Sequence, residues 1–293
     1  LKELDDQSIQ TVVTSPPYWG LRNYNVDGQL GLEATPQEYV QKLVEIFREI
    51  RRVLKDDGTV WLNLGDSYAG SRPMGTSDNE IDAYGTVNKS LKPTGAQGKL
   101  VAGLKPKDLV GIPWRVAFAL QEDGWYLRQD IIWNKPNPMP ESVLDRCTKS
   151  HEYIFLLSKS ERYYYDHEAI KEPTVRKGAK NTIGGTKYPG TYQNKGVTKN
   201  RYEDMGLKNK RSVWNITTKP YKAAHFATFP TELPETCIKA GTRENDVVLD
   251  PFAGAGTTGL VALKNKRHAV LIELNPEYIE LIDKRVSTYQ MGF

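Results

Sequence analysis

The sequence predicts an α/β protein with an open, mostly parallel twisted sheet and helices on both faces. Three observations carry that reading. Gln10-Thr11-Val12-Val13 is a β-branched run that stops at Thr14-Ser15-Pro16-Pro17-Tyr18-Trp19. A helical pattern and a second buried strand follow, the order of a βαβ unit with parallel strands. Near the far end, Asp246-Val247-Val248-Leu249-Asp250 runs into Pro251-Phe252-Ala253-Gly254-Ala255-Gly256 and then a helix.

Taken in order, residues 1–8 read as a turn or the tail of a helix. Residues 20–31 form a loop holding Arg22, Asn23 and Tyr24. Thr35-Pro36 opens a helix, with threonine as cap, proline first and Glu38 in the first turn. Tyr39, Leu43, Ile46, Phe47, Ile50 and Leu54 recur at helical spacing, and Asp56-Asp57-Gly58 closes the run. Residues 59–64 are the next buried strand, with Gly65-Asp66 at its carboxyl end. Residues 70–106, rich in Gly, Ser, Thr, Asn and Lys, are expected to be a long mobile loop on the active face. A helix is expected over 106–122 and strands over 125–133 and 151–158, the latter two as an antiparallel pair at one end of the sheet. Asn134-Lys135-Pro136-Asn137-Pro138 stops the first of them; Lys135 and Asn137 face the cleft and are candidates to hold phosphate. After a polar stretch, order resumes at Ser212. A helix over 231–240, the strand ending at Asp250, a helix to Lys264, a strand over 267–273 and a helix opened by Asn275-Pro276 complete the chain.

Length and composition bound the function. The chain has 293 residues and 39% hydrophobic content, enough for one large domain with an insertion, or two domains. It shows no apolar run able to cross a bilayer and no charged-then-apolar leader, which favours an intracellular, cytoplasmic setting. Cys147 and Cys237 are far apart, and the four histidines have no ligand spacing, so neither a disulfide framework nor a metal site is expected. The net charge is +4, but residues 168–212 carry eleven Lys and Arg against four Asp and Glu. A basic segment on a slightly acidic body suggests a polyanion partner. Tyr188, Tyr192 and Tyr202 are interleaved with its cations, a mixture suited to phosphate contacts plus stacking. Arg22, Lys135, Arg176, Lys177, Lys187, Lys195, Arg201 and Arg211 are the candidate contacts to such a polyanion. A solvated surface loop is the plain alternative.

The proline turn sits just past a strand's carboxyl end, where open sheets keep their ligands. Prolines supply no amide hydrogen, so the turn offers carbonyl acceptors beside the Ser15 hydroxyl and the Tyr18 ring. An exocyclic amino group on a planar base fits such a place, with the amine donating and the ring stacking. Gly254 and Gly256 allow a tight turn against a ligand, and the free amides that follow favour an anion. Thr257 and Thr258 could add hydrogen bonds, and Glu273 lies at roughly the interval where an acid meets ribose hydroxyls. Gly259 completes a G-x-G-x-x-G spacing, so a dinucleotide site stays open on spacing alone.

Thr14-Ser15-Pro16-Pro17-Tyr18 resembles the catalytic motif of the DNA amino-methyltransferases, and serine in first place looks most like the N4-cytosine members. Asp250-Pro251-Phe252 before the glycines resembles the family's cofactor motif. His225-Phe226-Ala227-Thr228-Phe229-Pro230 resembles the segment that packs over the methionine end of the cofactor. Catalytic turn, basic insertion and cofactor loop stand in the permuted order of the β group. The resemblance covers almost the whole chain apart from its two loop insertions. It implies a Rossmann-like methyltransferase fold, S-adenosyl-L-methionine as cofactor, double-stranded DNA as partner and a restriction endonuclease acting on the same site as a possible companion. It divides the chain into a catalytic half, 1–165, a recognition insertion, 166–212, and a cofactor half, 213–293. Ser15, Pro16, Pro17 and Tyr18 become the catalytic residues. Sheet topology, rather than the resemblance, puts Asp66 at the neighbouring strand end, where it could orient Ser15 or take up the proton; an aspartate that caps a turn is the favoured alternative. His225, Phe229, Asp250, Pro251, Phe252, Gly254, Gly256, Thr257, Thr258 and Glu273 become the cofactor contacts. The family strand and acidic turn that come before the catalytic strand are absent from the numbered chain. The alternatives are N6-adenine methylation, methylation of RNA or protein, and a non-catalytic nucleic-acid-binding protein on the same fold.

Overall fold

The computed structural model describes residues 1–21, 23–24, 26–70, 103–174, 206–218 and 230–290. β1 (Ile9–Thr14) leads through the proline turn to α1 (Pro36–Val53), and the chain passes directly into β2 (Leu54–Leu64). α2 (Ile112–Glu122), β3 (Tyr126–Asn134) and β4 (His151–Ser158) follow, then the short pair β5 (Glu172–Pro173) and β6 (Leu207–Lys208). β7 (Val213–Asn215), α3 (Glu232–Gly241), β8 (Val247–Asp250), α4 (Thr257–Lys264), β9 (His268–Leu271) and α5 (Pro276–Gln290) complete it.

One sheet of order β7-β3-β4-β2-β1-β8-β9 holds both halves of the chain. β1 is parallel to β2 and β8, β8 to β9, and β3 to β7; β4 alone runs against its neighbours β2 and β3. The antiparallel pair is as the sequence suggests, but β7 lies outside it as a further strand on the edge. Because β4 is reversed, its amino end meets the carboxyl ends of the other strands on one side of the sheet.

Alternation along the strands explains the two layers. Val60, Leu62 and Leu64 of β2 and Phe155 and Leu157 of β4 face α1 and α2, burying Tyr39, Leu43, Phe47, Ile50, Val116 and Leu120. Trp61, Ile154, Leu156 and Val248 face the other way, against Leu233, Cys237 and Ile238 of α3 and Val261 and Ala262 of α4. The β1–β2 crossover therefore leaves on one face and the β8–β9 crossover on the other. β1 and β8 are adjacent, which makes the space beyond their carboxyl ends a topological switch point.

Some expected boundaries move. Asp56-Asp57-Gly58 lies inside β2, where a Cβ on Gly58 would come within 2.6 Å of Leu54 Cγ. Packing against that close neighbour is what the glycine permits; it does not mark a turn. α2 starts at Ile112, and Leu109, counted in the expected helix, is exposed and bridges to Tyr68. Among the described residues, no helix is long and apolar enough to cross a membrane, and no cluster of acidic, histidine or cysteine side chains could hold a metal ion.

Candidate active site

The turn after β1 carries a chain of hydroxyls. Ser15 Oγ donates to the Tyr18 hydroxyl at 3.4 Å, and Tyr18 donates to Glu152 Oε2 at 2.7 Å, with Asn63 Oδ1 a second acceptor at 3.2 Å. Asn63 Nδ2 in turn donates to Glu152 Oε2 and to the Tyr153 carbonyl, each at 3.1 Å. Lys135 pairs with the other oxygen of Glu152 and lies 4.3 Å from the Trp133 ring centroid. Burial, and then the Glu152 charge, push the Tyr18 hydroxyl well above the usual phenol range. The Tyr18 ring rests on Gly65, where a Cβ would come within 2.6 Å of Tyr18 Cε2. Tyr39 donates to the Pro17 carbonyl at 2.8 Å, which pins the turn onto α1. Among the described residues no donor bonds the Pro16 carbonyl, and Ser15 Oγ takes part only as a donor, to Tyr18.

Asp66 is turned to another task than orienting Ser15. Its Oδ1 accepts from the amides of Ser67 at 2.9 Å, Gly111 at 2.9 Å and Ile112 at 3.0 Å. It therefore caps α2, whose preceding residue Gly111 is left-handed and brings no side-chain cap. Lys149 donates to the Asp66 carbonyl at 2.5 Å, and burial pulls the Lys149 ammonium below its ordinary range.

On the β8 side, Asp250 is buried at 1% exposure. Its Oδ1 accepts from Thr14 Oγ1 at 2.7 Å and the Phe252 amide at 3.1 Å, and its Oδ2 from Thr258 Oγ1 at 2.7 Å. Asp250 and Thr258, expected to touch a ligand, thus satisfy each other inside the fold, as buried polar groups must. Thr257 Oγ1 accepts from Arg285 of α5 at 3.0 Å. The loop itself is built for close approach. Gly254 has φ +51° and open space where a side chain would stand. Gly256 has φ +73° and heads α4 without a side-chain cap, leaving the first-turn amides for an anion. Gly259 lies against Leu271, 2.5 Å from where its Cβ would be, so helix and strand pack closely. Pro251 is buried, and Phe252 packs against the core beneath the loop. Glu273 Oε2 accepts from Gly254 N at 2.7 Å and Oε1 from Asn275 N at 2.9 Å, and each oxygen keeps a lone pair for a diol.

The structure thus brings Ser15, Pro16, Pro17 and Tyr18 to the same side of the sheet as Gly254, Gly256 and Glu273. Lys135, expected on phosphate, is committed to Glu152, and Asn137 exchanges two hydrogen bonds with Thr218. Arg211 pairs with Glu172 at 2.5 Å while staying largely exposed. Arg22, Arg176, Lys177, Lys187, Lys195, Arg201, His225 and Phe229, and most of the 70–106 loop, lie outside the described residues. The sequence patterns single out none of Glu152, Asn63 and Lys149. The available signal is the antiparallel pairing, since a reversed strand delivers its first residues to the active side.

A family model described as DNA methylase, covering the N6 and N4 amino-methyltransferases, matches residues 9–284. The chain is 48% identical over 287 residues to the Type II methyltransferase M.Cfr9I of Citrobacter freundii, covering 98% of this chain and 84% of that one. It is 49% identical over 284 residues to M.SmaI of Serratia marcescens, covering 97% and 86%. Among solved structures, the cytosine-N4-specific PvuII DNA methyltransferase shares the fold at TM-score 0.64 and 20% identity, over 97% of this chain and 81% of that one. A Thermus thermophilus DNA modification methylase complexed with S-adenosyl-L-methionine does so at 0.60 and 21%, over 100% and 90%. With the family model spanning the sheet from its first strand into its last helix, the chain belongs to the N6/N4 family of DNA methylases.

Proposed function

We propose that the chain is a Type II methyltransferase that methylates the exocyclic N4 of a cytosine flipped out of double-stranded DNA. The observation that carries this reading is Ser15 at the head of the proline turn, an uncharged acceptor beside a Pro16 carbonyl that no described donor bonds. The relatives named as Type II methyltransferases and the cytosine-N4-specific neighbour support it.

S-adenosyl-L-methionine, when bound, supplies a sulfonium methyl group for in-line attack by the amino nitrogen. The residues present fit it: uncapped amides of α4 for its carboxylate, open space at Gly254, and Glu273 for its ribose hydroxyls. Asp250 and Thr258 shape the loop from below, and His225 and Phe229 are proposed to cover the methionine end. An amino nitrogen on a base is a poor nucleophile because its lone pair is spread into the ring. Ser15 and the Pro16 carbonyl accept its two hydrogens, which draws the nitrogen towards tetrahedral geometry and localises the pair. Placement and matched acceptors then supply the acceleration. Tyr18, half-buried with its ring against Gly65, is the stacking partner of the base in this reading.

The basic segment is the DNA-recognition element in this reading. Its described ends are joined by the β5–β6 pair and by Lys208 and Arg211 on Glu172. A companion endonuclease would cut the same site. The test is to treat unmethylated plasmid with the protein and S-adenosyl-L-methionine, digest to nucleosides and identify the modified base. N4-methylcytosine is expected, and N6-methyladenine would move the reading to the other branch of the family.

A further inference from the structure

We propose that Glu152 fixes the direction of the hydrogen-bond chain through Tyr18 to Ser15 and takes the proton that the methylated amine releases. The inference rests on the amino-methylation reading above. A carboxylate only accepts hydrogen bonds. Tyr18 lies 2.7 Å from Glu152 Oε2, so the tyrosine must donate its one proton there. Its oxygen is then the acceptor for Ser15 at 3.4 Å, and the serine proton points away from the cleft. Ser15 is left facing a base with lone pairs alone, which is what an amine donor needs. Without Glu152, the Tyr18 proton could turn to Ser15, and the serine would present its own hydrogen to the amine. Lys135 holds the second oxygen of Glu152, and Asn63 braces the first from β2, so the carboxylate is fixed from three elements.

The same chain carries a proton outward. After transfer the nitrogen holds four bonds and a positive charge. One N–H bond breaks with its electron pair staying on nitrogen, and the proton passes to Ser15 Oγ. Ser15 gives up its original proton to the Tyr18 oxygen, and Tyr18 gives up its own to Glu152 Oε2. Each hydroxyl gains and loses one hydrogen, the amine ends neutral, and Glu152 ends as a carboxylic acid beside Lys135. Glu152 touches no substrate atom; it is a positioning residue that acts through Tyr18.

The test is single-turnover transfer of labelled methyl from S-adenosyl-L-methionine to unmethylated plasmid by the parent, Glu152→Gln, Tyr18→Phe and the double variant. Each single variant should slow transfer by about a hundredfold, the scale of a missing proton-transfer partner. The double variant should be no slower than the slower single one, because residues that act as a unit are not additive. Direct titrations should show cofactor and plasmid binding within about threefold of the parent in all of them, since the chain acts on the chemical step. Lys135→Met added to Glu152→Gln removes the orphaned ammonium and guards against a folding defect; the slow transfer should persist. Transfer by Glu152→Gln within about threefold of the parent, effects that multiply in the double variant, or recovery on adding Lys135→Met would each overturn the inference. A parent that labels no DNA would instead overturn the methylation reading itself.

Discussion

Thr14 Oγ1 donates to Asp250 Oδ1 at 2.7 Å, and this bond joins the strand that ends at the proline turn to the strand that ends at the glycine loop. Thr258 Oγ1 completes the bridge from α4, at 2.7 Å from the other oxygen. Two motifs more than two hundred residues apart in sequence are thereby locked to one carboxylate.

Burial is the main reason the Asp250 carboxyl is pushed up to about 6, with the threonine hydroxyls pulling the other way. An unfolded aspartate titrates near about 3.9, so between these values the folded protein holds a proton that the unfolded chain has released. The contribution to stability is present in full below the unfolded value and is lost as pH rises through the folded one. A difference of about two units amounts to about 3 kcal/mol. Denaturant titrations of Asp250→Asn should therefore show a shallower loss of stability than the parent between about pH 4 and about pH 7. An identical slope in both proteins would remove Asp250 as its source.

Gly65→Ala should disturb catalysis more than folding. The new methyl group would lie 2.6 Å from Tyr18 Cε2, so the ring must move while the β2–β4 pairing stays. A displacement of about 1 Å at a reacting centre costs on the order of a hundredfold in rate. Steady-state kinetics and a melting curve on the same preparation check this; parental turnover would mean the ring position is unimportant.

Glu273→Ala should weaken S-adenosyl-L-methionine binding by roughly ten- to a hundredfold, the equivalent of one charge-assisted hydrogen bond of about 1.5–3 kcal/mol. Calorimetric titration of the cofactor alone is the measurement. An unchanged affinity would take the ribose contact away from Glu273.

Much of this site is legible in the sequence because local rules dominate there. Thr35 caps α1 by accepting from Glu38 N, as threonine before proline foretells. The β-branched run before the proline turn has the composition of a buried strand and is one. What stays hidden depends on which strands pair. Glu152 looks like any acid at the start of an apolar run until β4 is known to run backwards between β2 and β3. Asp250, Thr257 and Thr258 belong to the motif expected to hold the cofactor, and which partners their polar atoms take, Thr14, Arg285 and one another, depends on the packing of β1, α4 and α5. Asp66 stands at a strand end beside the proline turn, and the open amides at the start of α2 bind its Oδ1.

DNA binding should weaken steeply with salt, and replacing Arg176, Lys177, Lys187 and Lys195 by glutamine should flatten that dependence. Each phosphate left without its cation takes roughly 0.9 off the logarithmic slope on duplex DNA. Fluorescence anisotropy on a labelled duplex over a salt series reads it directly. A slope that stays the same would mean the basic segment does not neutralise the phosphates.

The proline turn after β1 is where methyl transfer is proposed to happen, and everything else in the site is arranged around it. Single-turnover transfer of labelled methyl to plasmid by Ser15→Ala tests this most directly, with cofactor and DNA binding measured on the same protein. Removing an interaction realised mainly in the transition state should lower the rate by about a hundredfold or more and leave both affinities within about threefold. Transfer by Ser15→Ala at the parental rate would contradict the claim.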